Sequence, residues 1–159
     1  MDFRIGFGYD VHRLEEGIPF WLGGIEIAHH KGSVGHSDAD VLLHAICDAI
    51  LGAAALGDIG THFPDTDPAF KGKASSILLQ RCGDLLNSRG YEIGNIDSTI
   101  CLQTPKVLPY IPKMQAQIAL HLGLQENQVS VKATTEEKLG FTGRQEGISA
   151  YAVVLIRSN

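Results

Sequence analysis

The chain has 159 residues, of which 44% are hydrophobic and 19% are charged, a composition typical of a globular protein that is long enough to bury a core. Its net charge of -5 argues against a nucleic-acid-binding surface, and no apolar run is long and pure enough to span a bilayer. The three cysteines are scattered and form no C-x-x-C pair, and Met1–Arg4 leads directly into a strand. We therefore expect one domain over residues 1–159, no signal or transit peptide, and a cytoplasmic location with reduced thiols.

The first strand is predicted from Phe3 to His12, where apolar or aromatic residues alternate strictly with glycine and charged or polar residues. Such a period of two is typical of a strand that is buried on one face. Asp10 and His12 project to the same side, next to Gly6 and Gly8, which leave bare backbone beside them. A carboxylate and an imidazole held side by side on a rigid strand are two candidate metal ligands, and a metal site requires a third.

Two short elements separate this strand from the first helix. Ile18–Ile27 is predicted to form a hairpin that turns at Gly23-Gly24. Gly32–Asp38 is a flexible loop that ends in residues favouring a helix N-cap. The free backbone N–H groups and the positive end of the helix dipole form an anion site there, to which His36 and Ser37 can donate. The alternative is an ordinary helix cap without a ligand.

The run from Ala39 to Leu56 is almost wholly apolar and rich in alanine and leucine, which predicts a buried helix. Asp40, His44 and Asp48 interrupt this run at spacing i, i+4, i+8 and so share one stripe of the helix. Buried polar groups need partners, and a metal shared with the strand's two ligands would satisfy the stripe. Three protein ligands leave a tetrahedral zinc with one open position, as in catalytic sites. The alternative is that His44 hydrogen-bonds Asp40 or Asp48 in a packed core.

The rest of the chain predicts two further helices and three further strands. An acidic loop follows the first helix at Gly57–Pro68; such loops hold sugar hydroxyls or metals, but they also serve as ordinary turns. Ile148–Ile156 is apolar on both faces, which predicts a strand covered on both sides by the core or by a neighbouring subunit. The order of elements indicates an α+β fold, a two-layer sandwich of a mixed sheet with helices packed on one face, plus the short hairpin. The other predicted elements are a helix at Ser75–Arg89, a strand at Tyr91–Gln103, a proline-punctuated loop with Lys106 before a helix that ends at Gly123, a strand at Val129–Lys132 and a polar loop at Ala133–Gly147.

Five sequence blocks taken together resemble one family. They are G-x-D-x-H at Gly8–His12, H-S-D-A-D-V-x-x-H at His36–His44, D-I-G-x-x-F-P-D-T-D at Asp58–Asp67, P-K at Pro105-Lys106, and K-A-T-T-x-E-K-L-G-F-T-G-R-x-E-G at Lys132–Gly147. The blocks run in family order over nearly the full chain, which is far more specific than any single block. On these motifs the chain resembles 2-C-methyl-D-erythritol 2,4-cyclodiphosphate synthase, a family of the non-mevalonate isoprenoid route.

The resemblance implies two metal sites and a substrate pocket. It implies zinc on Asp10, His12 and His44, and a magnesium or manganese ion bound at the substrate's diphosphate through Glu137. His36 and Thr135 correspond to the residues that steady the transition state. The implied substrate-binding residues are His36, Ser37, Asp58, Ile59, Gly60, Phe63 and Asp65 for the phosphate and methylerythritol parts, Leu102, Lys106, Val107, Leu108, Ala133, Thr134 and Thr135 for the cytidine side, and Phe141 and Arg144 for a cavity on a trimer axis.

The resemblance also implies an assembly and a reaction. The family forms homotrimers with an active site at each subunit interface, and the axial cavity can hold an isoprenoid diphosphate; some relatives carry an acidic residue near it where this chain has Tyr151. The implied reaction converts 4-diphosphocytidyl-2-C-methyl-D-erythritol 2-phosphate to 2-C-methyl-D-erythritol 2,4-cyclodiphosphate and CMP, with no nucleic-acid or membrane partner. Two alternatives are a zinc-dependent phosphohydrolase that activates water and a trimeric isoprenoid-phosphate binding protein whose metal is structural.

Overall fold

The structure, a computed structural model, describes residues 2–64, 66–68 and 72–159. In these residues the chain forms a five-stranded sheet, a separate two-stranded hairpin, and helices that pack on one face of the larger sheet. The strands are β1 Phe3–Glu16, β2 Phe20–Leu22, β3 Ile25–Ile27, β4 Lys31–Ser33, β5 Tyr91–Cys101, β6 Val129–Thr134 and β7 Gly147–Ser158, and the helices are α1 Val41–Ala53, α2 Ile59–His62, α3 Ser75–Ser88, α4 Ile111–Leu122 and α5 Gly140–Gly143.

The larger sheet has the strand order β4-β1-β7-β5-β6. β7 lies at its centre and pairs antiparallel with β1 on one side and with β5 on the other. β6 runs parallel to β5, so the sheet is mixed and the predicted α+β sandwich is confirmed. β1 continues past its predicted end at His12 because Leu14–Glu16 pair with β4, a short strand in what the sequence predicts as a loop.

Glycines bring β1 into direct contact with the backbone of α1. A Cβ atom added at Gly6 would lie 1.8 Å from the carbonyl oxygen of Ala49, and one added at Gly8 would lie 1.9 Å from that of Ala45. Only glycine permits so close an approach. The strand is half buried, as predicted, and its buried face is the one that carries Gly6, Gly8, Asp10 and His12.

The opposite face of β1 is apolar and exposed in the single chain. Phe3, Ile5 and Phe7 are 55%, 71% and 63% exposed. On β7, the face that carries Ile148, Ala150, Ala152, Val154 and Ile156 is fully buried, while Tyr151 and Val153 on the other face are 39% and 41% exposed. The chain itself therefore covers one face of β7 and leaves the other face partly exposed, so cover on both sides by the chain's own core, one of the two predicted alternatives, is wrong.

Asp40 joins the hairpin to the start of α1. The helix begins at Val41, two residues later than predicted, and Asp40 is its N-cap. Its Oδ1 accepts hydrogen bonds from Leu43 N at 3.1 Å and Gly23 N at 2.9 Å, and its Oδ2 accepts one from Gly24 N at 2.7 Å. Burial raises the pKa of this carboxyl, although the three N–H donors partly oppose the effect. The Asp40 carboxylate thus orients the hairpin turn, and its partners are backbone N–H groups and not the imidazole of His44.

The remaining elements follow the sequence closely. The predicted helix at 75–89 and the predicted strand at 91–103 both form, and α4 ends at Gly123 with a left-handed φ of 66°. The acidic loop contains one short helix, α2, that the sequence does not predict. Among the described residues, none of the helices is both long and apolar enough to cross a membrane.

Candidate active site

Three candidate ligand atoms converge where β1 packs against the first turn of α1. Asp10 Oδ2 lies 3.0 Å from His12 Nε2 and 3.0 Å from His44 Nδ1, and the two imidazole nitrogens are 3.2 Å apart. In a tetrahedral zinc site with metal–ligand bonds of about 2.1 Å, neighbouring ligand atoms are separated by about 3.4 Å. The triangle therefore has nearly the size of one face of a zinc tetrahedron, and its carboxylate and imidazole donors suit a divalent metal.

The second nitrogen of each imidazole lies within hydrogen-bonding distance of another residue. His12 Nδ1 lies 3.1 Å from the carbonyl oxygen of Val34. His44 Nε2 lies 2.8 Å from Ser75 Oγ and 3.3 Å from Ser37 Oγ. Metal-binding histidines usually use their free nitrogen in this way, because the contact fixes the orientation of the ring.

The charges of the triangle perturb one another. Burial would raise the pKa of Asp10, but hydrogen bonds to His12 and His44 outweigh it and hold that pKa well below its usual range. Burial would lower the pKa of His44, but the hydrogen bond and charge of Asp10 raise it above its usual value. The pKa of His44 thus lies above its usual value because Asp10 stabilises the charged imidazole, so a metal ion and a proton compete for Nδ1.

The triangle opens into a cavity of about 770 Å³, within the size range of small-molecule sites. The loop between β4 and α1 forms one wall, and α2 with the residues after it forms another. The predicted residues that line this cavity are the three metal ligands with His36, Ser37, Ile59, Gly60 and Phe63.

Asp58, one of the two predicted carboxylates of the acidic loop, is not part of the described cavity lining. Asp58 is exposed and caps α2: its Oδ1 accepts hydrogen bonds from Thr61 N at 2.8 Å and from Thr61 Oγ1 at 2.7 Å. These bonds lower the pKa of Asp58. Asp65 lies outside the described residues, so its predicted role stays a prediction.

The residues predicted for the cytidine side form a second group. Leu102 N donates to the carbonyl oxygen of Thr134 at 3.0 Å, which joins the loop after β5 to the end of β6. The cavity lining that the structure describes includes no member of this group, so a single chain does not bring the cytidine residues and the metal triangle into one pocket. Within the group Leu102 and Val107 are buried, and Lys106, Leu108, Ala133, Thr134 and Thr135 are exposed.

The loop after β6 presents Glu137 on a constrained backbone. Glu137 and Lys138 have positive φ angles of 54° and 64°, and a Cβ atom added at Gly143 would lie 2.2 Å from the carbonyl carbon of Lys138. Thr135 Oγ1 lies 3.4 Å from Glu137 Oε1. The two residues predicted for a metal and for the transition state are thus neighbours on one exposed loop, and neither lines the cavity that contains the triangle.

Phe141 and Arg144, for which the family resemblance implies an axial cavity, lie on and just after α5. Both are exposed in the single chain. The guanidinium of Arg144 pairs with Glu146 through bonds of 2.9 and 3.1 Å. Neither residue lines the described metal-site cavity.

Sequence reasoning missed the partners of His44 and misassigned Asp48. The proposed partners Asp40 and Asp48 are engaged elsewhere: Asp48 Oδ1 accepts a hydrogen bond from Ile59 N at 2.8 Å and so anchors α2. The alternative in which Asp40 or Asp48 hydrogen-bonds the His44 imidazole is therefore wrong, because Ser75 and Ser37 lie against its Nε2. Ser75 is 31 residues from His44, and no local spacing signals such a contact.

Comparison with known proteins identifies the family. The family model described as YgbB matches residues 3–157. This chain belongs to the YgbB family. The YgbB assignment confirms the resemblance that the five sequence blocks carry, since curated relatives bear the name of the synthase.

Three relatives illustrate how close the similarity is. The 2-C-methyl-D-erythritol 2,4-cyclodiphosphate synthase of Porphyromonas gingivalis is 62% identical over 154 residues, which cover 97% of this chain and 95% of that protein. The bifunctional IspDF from Campylobacter jejuni superimposes with a TM-score of 0.96 at 44% identity; the match covers 99% of this chain and 43% of that one. A 2C-methyl-D-erythritol-2,4-cyclodiphosphate synthase with CDP bound gives a TM-score of 0.90 at 36% identity, over 97% of this chain and 100% of that one.

Proposed function

We propose that this YgbB-family chain converts 4-diphosphocytidyl-2-C-methyl-D-erythritol 2-phosphate to 2-C-methyl-D-erythritol 2,4-cyclodiphosphate and CMP. The observation that carries the proposal is the triangle of Asp10, His12 and His44, with ligand atoms 3.0 to 3.2 Å apart, at the bottom of a cavity that can hold a phosphorylated polyol. The name of the full-length relatives and the CDP bound to one of them support the substrate class.

The reaction is an intramolecular phosphoryl transfer. An oxygen of the 2-phosphate attacks the β-phosphorus, a new P–O bond closes the ring, and the bond from that phosphorus to the oxygen of CMP breaks. Both reacting groups are anionic and belong to one flexible molecule. The protein therefore has to position the two ends and neutralise charge, and no side chain needs to act as the nucleophile.

Different residues of the cavity would bind different parts of the substrate. We assign the substrate's phosphate to His36 and Ser37, both of which can donate hydrogen bonds at the cavity wall. Phe63 and the backbone of Ile59 and Gly60 enclose the methylerythritol part. The triangle holds a divalent metal, for which we propose zinc; when bound, it polarises a phosphate oxygen as a Lewis acid.

We further propose that the working unit is a homotrimer whose active sites are shared between subunits. The exposed apolar face of β1 and β7 supports an interface, because soluble monomers rarely expose large contiguous apolar patches. The cytidine-side residues lie outside the cavity of their own chain, so a neighbouring subunit would supply them. On that side we assign Lys106 to the cytidine diphosphate, Thr135 to the transition state, and Glu137 to a magnesium or manganese ion.

Three further expectations accompany the trimer. Phe141 and Arg144 line an axial cavity that takes an isoprenoid diphosphate, residues 1–159 act as one domain, and the protein works in the cytoplasm. The last is supported by the three cysteines, which are all free thiols, as expected of a reducing compartment.

One experiment separates cyclisation from its two alternatives. The purified protein is incubated with the substrate in oxygen-18 water, CMP is measured by chromatography, and the second product is weighed. Attack within a well-oriented molecule reaches effective molarities on the order of 10⁵ M, against ~55 M for water, so we expect CMP and a product without solvent oxygen. One added solvent oxygen would establish the hydrolase, and absence of CMP would favour the binding protein.

The metal is tested by replacing His44 with alanine. We expect about one zinc per chain in the unmodified protein and loss of most bound zinc and most CMP release in His44→Ala. His121→Ala is the matched control, because His121 lies in the last turn of α4, outside the described lining of the cavity. Full activity of the unmodified protein after chelation to a zinc-free state would refute the metal's role.

A further inference from the structure

A chain of hydrogen bonds leads from His44 through the buried Ser75 to the half-buried Asp38. His44 Nε2 lies 2.8 Å from Ser75 Oγ, and Ser75 Oγ hydrogen-bonds Asp38 Oδ1. The other carboxylate oxygen of Asp38 accepts a hydrogen bond from Ser75 N at 2.9 Å. Ser75 is 0% exposed, so water does not compete for its hydroxyl group.

The chemistry of the three groups determines where the protons lie. An ionised carboxylate only accepts hydrogen bonds, so the hydroxyl of Ser75 must donate its single proton to Asp38. Ser75 Oγ then has only lone pairs to offer to His44, and His44 Nε2 must be the donor. With the proton on Nε2, Nδ1 is the nitrogen whose lone pair can face a metal.

We propose that Asp38 and Ser75 are positioning residues for the metal centre, which together hold His44 with its Nε2 protonated and its Nδ1 directed at the ion. The inference rests on the metal site of the proposed function. Ser37 Oγ, at 3.3 Å from His44 Nε2, is a second and longer contact, so Ser75 is the principal acceptor.

The same hydrogen bonds connect the metal ligand to the walls of the cavity. Asp38 directly follows His36 and Ser37, while Ser75 is the first residue of α3. Gly72 N donates to the carbonyl oxygen of His36 at 3.0 Å, so this bond and the Ser75–Asp38 bonds together join the start of α3 to the segment before α1. The orientation of His44 and the position of the phosphate-binding residues therefore depend on one shared framework.

The test measures zinc affinity and the His44 proton in the absence of substrate. Ser75→Ala removes the acceptor of Nε2, and Asp38→Asn keeps the volume but puts an amide NH₂ against either the hydroxyl or the N–H of Ser75. In each variant we expect zinc affinity, measured by competition with a chromogenic chelator, to fall roughly 10- to 100-fold. We also expect the Nε2 proton of His44 in the zinc-loaded protein, seen by ¹⁵N-edited NMR, to lose its downfield position or its protection from exchange.

Ser98→Ala is the matched control. Ser98 is 2% exposed, its Oγ donates to the carbonyl oxygen of Ser130 at 2.9 Å, and it lies in β5, so its loss should leave zinc affinity and the His44 proton unchanged. If Ser75→Ala and Asp38→Asn bind zinc like the unmodified protein and keep the His44 signal, the positioning role is refuted. An unmodified protein that binds no zinc would instead refute the metal site of the proposed function.

Discussion

Replacing Gly8 with alanine tests how the metal triangle is built. The added Cβ would lie 1.9 Å from Ala45 O, 2.8 Å from Ala49 N and 2.9 Å from Ala45 C. All three are backbone atoms of α1, so no side-chain rotation relieves the overlap. Since ordinary contact begins near 3.4 Å, the strand and the helix must separate by about 1.5 Å.

The separation should cost both stability and metal affinity. Overpacking a core costs typically 1–3 kcal/mol, and because only backbone atoms obstruct the methyl group we expect about 3 kcal/mol. For a chain of this size that corresponds to a fall in Tm of roughly 6–12 °C. His44 directly precedes Ala45, so the same movement should also separate His44 Nδ1 from Asp10 Oδ2, which are 3.0 Å apart, and weaken zinc binding.

Thermal unfolding by circular dichroism at matched protein and zinc concentration measures the first effect, and chelator competition measures the second. Gly52→Ala is the control, because Gly52 lies within α1 and a Cβ there would meet nothing closer than 4.0 Å. That change should be neutral or stabilise the helix by about 0.5–1 kcal/mol. If Gly8→Ala unfolded at the same temperature as the unmodified protein and bound zinc equally well, glycine packing would not determine the site.

Two further predictions concern the helix cap and the exposed apolar face. Burial raises the pKa of Asp40, so the folded state binds the carboxyl proton more tightly than the unfolded state does. The free energy of unfolding of the unmodified protein, measured relative to Asp40→Asn, should therefore fall as the pH rises from about 4 towards neutrality. Urea titrations across that range measure the difference, and a difference independent of pH would contradict the argument. Light scattering should show that Ile5→Lys dissociates the proposed trimer. Leu120→Lys, at 70% exposure in the chain against 71% for Ile5, should leave the proposed assembly intact. If Ile5→Lys stayed trimeric, this face would be excluded as the interface.

The sequence predicts the elements well but not which face of β1 is buried. Alternation establishes that Asp10 and His12 share a side, and it does so from local geometry alone. The apolar side, with Phe7 and Ile5, resembles a core face, yet it is exposed because Gly6 and Gly8 admit the backbone of α1 on the other side. Close packing of glycine against a helix depends on tertiary structure, which periodicity does not report.

For the candidate site as well, the sequence predicts some contacts and misses those that depend on tertiary structure. His44 joins Asp10 and His12 as the motifs imply, but its contact with Ser75 joins residues that are far apart in the sequence. Asp48 has the spacing of a partner for His44, yet its carboxylate accepts the N–H of Ile59, because the start of α2 needs an acceptor. Spacing on a helix predicts which residues share one side of it. The hydrogen-bond partners of those residues depend on which other elements pack against that side.

The alternation of β1 limits how the length of this strand can change during evolution. Inserting one residue before Asp10, with the pairing of Asp10 to Ala150 shifted accordingly, would turn both strand ligands away from α1 and bring Tyr9 and Val11 against the helix. Inserting two residues would restore the sides but move the glycines by about 6.6 Å along the strand, so that side chains would meet the carbonyl oxygens of Ala45 and Ala49. We therefore expect neither an odd nor an even insertion in this strand to preserve the site, so relatives that keep the site should differ in length outside β1.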